Sequence, residues 1–285
     1  MPIGKNAIKR VSSSGYSNVH HTHVFPDKIA AKTIEYLSER GSIPAFSDGL
    51  TSGLLARMEE AGVDVAVNLP VVTAPRQFES VNRFAKELNE RFSATDTRRI
   101  ISFAGIHPLC EDIDGKMQWI KENGFLGVKL HPDYQETYIN DPAYVRILEC
   151  ARDLDLVVLT HAGLDVAYTD VPMRCPAELV LDLCRRVPYE KLVIAHLGGY
   201  EENSDALDRL CGENIYLDTA YILRYTSREM LCGVLSRHGA DRVLFASDSP
   251  WSSMKDDVEK IKSFSLDPAD ERRLMCDNAR TLLGI

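Results

Sequence analysis

Five short stretches of the chain end in residues that bind metals, and four of them follow an apolar run of strand length. They are Val19-His20-His21-Thr22-His23, Leu156 to His161, Leu192 to His196, Val243 to Asp248, and Val128-Lys129-Leu130-His131. His21 and His23 are two apart, so in a strand both imidazoles point to the same side and His20 points away. An inward pair of imidazoles is costly to bury unpartnered, and a divalent metal is a natural partner. The competing reading is a hydrogen-bonded pair of core histidines.

His161 and His196 each close an apolar run and precede small residues, Ala162-Gly163 and Leu197-Gly198-Gly199. Glycines there permit close backbone approach and a sharp exit from a strand. Asp248 lies in Phe245-Ala246-Ser247-Asp248-Ser249-Pro250-Trp251. A carboxylate beside a metal can hold the ion and accept a proton from its water; the alternative is a helix cap. Lys129 and His131 share a strand face. An inward Lys needs a partner. Three roles stay open for it: a cation for a substrate carboxylate, a partner for Asp or Glu, or a carbamylated bridge between two metals. His131 is a site candidate or simply the end of its strand. His107 is a weaker candidate of the same style. Arg174 and Arg224, with Tyr221 and Tyr225, fall in irregular segments and are candidate binders of an anionic substrate.

These residues need a frame that brings strand ends together. Strand patterns occur at 18–24, 63–69, 99–106, 125–131, 156–161, 191–196, 214–219 and 241–247. They are short and nearly continuously apolar, as in a parallel sheet buried on both faces. Helical patterns lie between them. Asp141-Pro142 opens one with a stripe of Tyr144, Ile147, Leu148, Ala151 and Leu154; Pro176 and Asp267-Pro268 open others. The alternation predicts a TIM (β/α)8 barrel in one domain over 1–285, with an N-terminal extension at 1–17. A doubly wound sheet would be expected to carry a glycine-rich phosphate loop after its first strand, and none is present. In a barrel the C-terminal strand ends converge on one mouth. The irregular segments 131–140, 162–175 and 220–227 should then shape the pocket above it.

Composition bounds the partners. The chain has 285 residues and a net charge of −9, with no basic face of the kind nucleic acids need. No apolar run reaches membrane-spanning length, and the first residues lack the apolar core of a signal peptide. Seven cysteines without a CxxC pair read as reduced core residues of a cytoplasmic protein. The expected partner is a small, anionic substrate molecule. Homo-oligomerisation stays open.

The chain resembles the amidohydrolase superfamily, specifically its amidohydrolase-related (amidohydrolase 2) group. The matching segments are HTHVFP at 21–26, GVKLHPDYQ at 127–135, THAG at 160–163, AHLGG at 195–199, FASDSPW at 245–251 and DNARTLLG at 277–284. The resemblance implies metal held by His21, His23 and His161, with Asp248 as ligand and general base. It places His196 beside the site or, in two-metal members, among the ligands. Lys129 falls near the position of the bridging residue of two-metal members. Asn278 falls at a packing or supporting position. One or two divalent ions are expected, zinc first and manganese second. The first expectation for activity is hydrolysis of an amide, a lactone or a related C–N or C–O bond in a carboxylated substrate, with His196 or Lys129 stabilising an oxyanion. The alternative on the same scaffold is a non-oxidative decarboxylase or hydratase. A barrel that binds metal or ligand without turnover is the remaining, non-enzymatic reading.

Overall fold

The computed structural model describes residues 19–93, 99–199 and 203–285. The expected extension at 1–17 lies outside these residues, as does the side chain of His20. Nine strand segments fill eight barrel positions: β1 Val19–Thr22, β2 Val65–Asn68, β3 Arg99–Ser102, β4 Ala104–Gly105, β5 Gly127–Leu130, β6 Val157–Thr160, β7 Leu192–Ile194, β8 Tyr216–Asp218 and β9 Val243–Leu244. Every pairing among them is parallel. A Thr22–Ser249 bridge returns the chain to β1. The fold is a single-domain α/β barrel.

Side chains alternate across the strands as period two requires. Val65, Val67, Ile101, Val157, Leu159 and Val193 form one cluster, which Leu282 and Leu283 of the last helix complete. Their neighbours Ala66, Ile100, Val128, Val158 and Ile194 belong to a second cluster shared with the helices. This is the layered interior and outer shell of a filled barrel. Helix Pro142–Asp153 begins where the sequence places it. The Asp141 carboxylate accepts from the Ala143 N–H, and Tyr144, Ile147, Leu148 and Ala151 are buried.

Every strand is shorter than the range its pattern predicts, and at three of them a side chain or helix takes a ladder hydrogen bond. The third position breaks at Phe103. Asn89 and Asn82 of helix Phe78–Phe92 satisfy the backbone groups of Ser102 and Gly105. β7 stops before His196, whose N–H donates to Asp218 Oδ1 at 2.9 Å. β9 stops at Leu244, because the Phe245 N–H donates to the Leu274 carbonyl. All seven cysteines are free thiols. No described helix is long and apolar enough to cross a membrane.

Candidate metal centre

β1 delivers His21 and, one residue past its end, His23, and the turn after β9 delivers Asp248. The Asp248 N–H donates to the His21 carbonyl at 2.8 Å, which ties that turn to β1. Asp248 has a left-handed backbone, φ 63°. It does not cap the next helix: Ser253 does, accepting from the Asp256 N–H. The helix-cap alternative for Asp248 is therefore removed.

Hydrogen bonds fix which ring nitrogen faces the cavity. His23 Nδ1–H donates to the Leu69 carbonyl at 2.8 Å. His21 Nδ1–H donates to Asp218 Oδ2 at 2.8 Å. Each ring thereby turns Nε2 toward Asp248 Oδ1, at 3.0 Å for His23 and 3.5 Å for His21. These three side chains can hold one cation. Burial, then the Lys129 charge, push His21 well below its usual pKa. A neutral imidazole is the form that binds metal. Burial pushes Asp248 upward, but the neighbouring His23, His21 and His196 outweigh it and draw the carboxyl down to about 2.

β6 and β7 supply a second line of rings. His196 Nδ1 faces the Ala220 carbonyl at 2.9 Å. A carbonyl only accepts, so His196 Nδ1 carries a hydrogen, and a ring with that one hydrogen leaves Nε2 as an acceptor. That Nε2 lies 3.0 Å from His161 Nδ1, which must donate. His161 Nε2 is then left with a bare lone pair, and it is buried with no hydrogen-bond partner among the described residues. Native structures seldom leave such an atom unsatisfied unless a ligand, ion or water belongs there.

His131 closes the site from β5. It groups with His161 and Asp165 as a second possible ligand set. The His131 ring stacks on His161 with centroids 4.2 Å apart, and its Nε2 lies 3.2 Å from Asp165 Oδ2. Its Nδ1 faces the Tyr134 N–H at 3.4 Å, so Nε2–H is the donor to Asp165. Lys129, 1% exposed, places Nζ 3.3 Å from His21 Nε2. Burial draws Lys129 down to about 8, against the pull of Asp248, Asp218 and Asp165.

The structure thus brings His21, His23, Lys129, His131, His161, His196 and Asp248 to one mouth. All but His21 line a cavity of about 940 Å³. Arg174 and Arg224 are not on its wall. The Arg174 N–H donates to Asp133, and Arg224 donates to the Trp251 carbonyl while lying over the Tyr221 ring. His107 is buried away from that wall and accepts from the Leu109 N–H. Asn278 donates to the Ala240 and Val243 carbonyls, a packing role.

Two residues of consequence escape sequence reasoning. Asp218 ends β8 and accepts from His21 Nδ1, His196 N and Ala220 N. It ends an apolar run just as Asp248 does, and that was the available signal. Asp165 sits in the loop after β6, where no periodicity marks it.

A family model described as Amidohydrolase matches residues 56–285, and the chain belongs to that family. No curated protein matches. Among solved structures, a 2,6-dihydroxybenzoate decarboxylase complexed with 2,6-dihydroxybenzoate is 18% identical, with a TM-score of 0.70 over 95% of this chain and 100% of that one. A 5-carboxyvanillate decarboxylase from Novosphingobium aromaticivorans, with bound manganese and a nitrobenzoic acid, is 15% identical, with a TM-score of 0.73 over 96% and 98%. A TIM-barrel protein from Bordetella bronchiseptica is 15% identical, with a TM-score of 0.72 over 94% and 98%. At such identities these neighbours establish the barrel, not the reaction.

Proposed function

We propose that this protein is a divalent-metal-dependent, non-oxidative decarboxylase of a small aromatic or unsaturated carboxylic acid. One observation carries the metal: hydrogen bonding leaves His161 Nε2 a buried lone pair without a partner among the described residues, at the mouth where His21 and His23 turn Nε2 toward Asp248. His21, His23 and Asp248 would hold the ion, with His161 completing the set. Three imidazoles and a carboxylate suit zinc or manganese. Bound there, the metal would supply positive charge to anchor and polarise a substrate carboxylate. Hydrolysis, the first expectation from sequence, would use the same ligands. The decarboxylase neighbours, one of them with manganese, favour the alternative.

Loss of carbon dioxide leaves the electron pair of the broken C–C bond on the substrate carbon, which must take a proton. Asp248 lies on the cavity wall and is an anion at rest. In this reading it takes a proton from a substrate hydroxyl or from solvent and passes it to that carbon. Lys129 adds a second positive charge toward the substrate carboxylate. Its Nζ lies 3.3 Å from His21 Nε2, which sets that charge beside the ligand atoms. His196 orients His161 through the Ala220–His196–His161 chain.

The test is a chelated protein reloaded with manganese or zinc and offered hydroxybenzoates, unsaturated acids, lactones and amides. Carbon dioxide release that returns with metal is the expected result, and Asp248→Asn should lower it by about 10²-fold or more. Metal-dependent turnover of lactones or amides without carbon dioxide would make the protein a hydrolase instead.

A further inference from the structure

Helix Asp27–Gly41 stands apart from the barrel's own helical layer. It is inserted after β1, ahead of helix Thr51–Ala61, which buries Leu54 and Met58 in the core. Ala30 is the one buried residue of the inserted helix. Ile29 is 50% exposed and Tyr36 56% exposed. Ile29, Thr33, Tyr36 and Leu37 recur at helical spacing on one face, and that face lines the cavity.

A second helix lines the same cavity. Helix Phe78–Phe92 buries Phe78, Asn82, Ala85, Leu88 and Phe92. Val81 and Phe84, with Gln77 and Ser80, also line the cavity, and Phe84 packs against the core as well. Two helices thus present apolar side chains to a shared space, with Lys28 and Lys32 of the inserted helix also on its wall. Arg40 near the end of the inserted helix pairs with Asp170 at 3.1 Å and lies over the Tyr168 ring.

That space is continuous with His23, Lys129, His161 and Asp248 in one cavity of about 940 Å³. Pockets of about 300–1,000 Å³ hold drug-sized ligands. A single-ring acid anchored at the metal ligands would leave the helical stripes in water, and apolar surface of that kind marks binding sites.

We infer that the substrate has two parts to match: a carboxylate end at the histidine–Asp248 cluster, and an apolar extension, a second ring or an alkyl chain, lodged between helix Asp27–Gly41 and helix Phe78–Phe92. The inference rests on the reading of that cluster as a carboxylate site. Ile29, Tyr36, Val81 and Phe84 are then the specificity-determining residues.

The test reads binding, so it does not depend on turnover. Manganese-loaded protein is titrated calorimetrically with salicylate and with salicylates carrying phenyl or hexyl at ring position 4 or 5. At least one extended acid should bind about tenfold or more tighter than salicylate, because apolar groups in a fitted pocket are worth that much. Ile29→Asp, at a half-exposed position, and Tyr36→Ala, at an exposed one, should each weaken the extended acid about tenfold and leave salicylate unchanged. Equal affinities for all acids, equal losses for all acids, or no binding of any would overturn the proposal. So would Ile29→Asp converting a dimer to a monomer with the advantage of extension intact, since the face would then be an interface between copies. An extended acid that binds tightly and releases no carbon dioxide supports the chamber while ending the decarboxylase reading. Carbon dioxide from salicylate with no gain on extension does the reverse.

Discussion

A single carboxylate organises two of the histidines. Asp218 Oδ1 accepts from the His196 and Ala220 N–H groups at 2.9 and 3.0 Å, while Oδ2 accepts from His21 Nδ1 at 2.8 Å. Burial raises the Asp218 pKa, against the pull of His196 and the N–H donors. Supporting carboxylates of this kind fix the tautomer and raise the basicity of a metal-binding imidazole. Asp218→Asn separates that role from mere packing. The amide keeps shape, and its oxygen can serve the two backbone donors. Its NH₂ then faces His21 Nδ1, which must accept, so the ring hydrogen moves to Nε2 and closes the lone pair. Metal affinity, measured by competition with a chelator, should fall about 10–100-fold with the circular dichroism spectrum unchanged. Unaltered affinity would reduce Asp218 to a packing residue.

The loops that carry His161 and His196 press together backbone to backbone. A Cβ on Gly163 would lie 2.1 Å from Gly199 Cα, and Gly163 has φ +75°. Gly163→Ala must therefore spread the ends of β6 and β7. We expect a loss of about 3 kcal/mol or more, read as a lowered melting temperature, together with weaker metal binding. A variant of normal stability and metal content would mean the loops yield without cost. The need for these glycines is legible in the sequence, as are the strand positions and the HxH pair, because period-two burial and helix capping are local signals. The role of Asp218 is hidden because the ligand histidine it orients lies far away in sequence: His21 is 197 residues distant. Helix Asp27–Gly41 is hidden in function for another reason. Its apolar spacing is the same whether the face meets a core or a cavity, and only the third dimension distinguishes them. The sequence also misleads about Arg174 and Arg224, since loop residues near a mouth need not face into it.

At the scale of the whole molecule, the site is an internal load that a cation relieves. His21, Lys129, His131, His161, His196, Asp218 and Asp248 are all buried at one end of the barrel. Burial drives His21, His131 and His161 well below their usual pKa. Neutral imidazole lone pairs and a carboxylate facing one another are poorly matched without positive charge between them. A metal that binds this folded arrangement, and not the unfolded chain, stabilises it by mass action, by about 2.7 kcal/mol at a free concentration of 100 Kd. Domains of this general size shift by roughly 2–4 °C per kcal/mol. Removing the metal with a chelator should then lower Tm by about 5 °C or more, and manganese or zinc should restore it. The double variant His21→Ala, His23→Ala supplies the control. Its Tm should no longer respond to either treatment, because the cation's ligands are gone. Should chelation leave the wild-type Tm unmoved while the protein still binds manganese at micromolar concentration, the ion would have to sit outside the buried cluster, and the assignment of His21, His23, His161 and Asp248 as its ligands would fall.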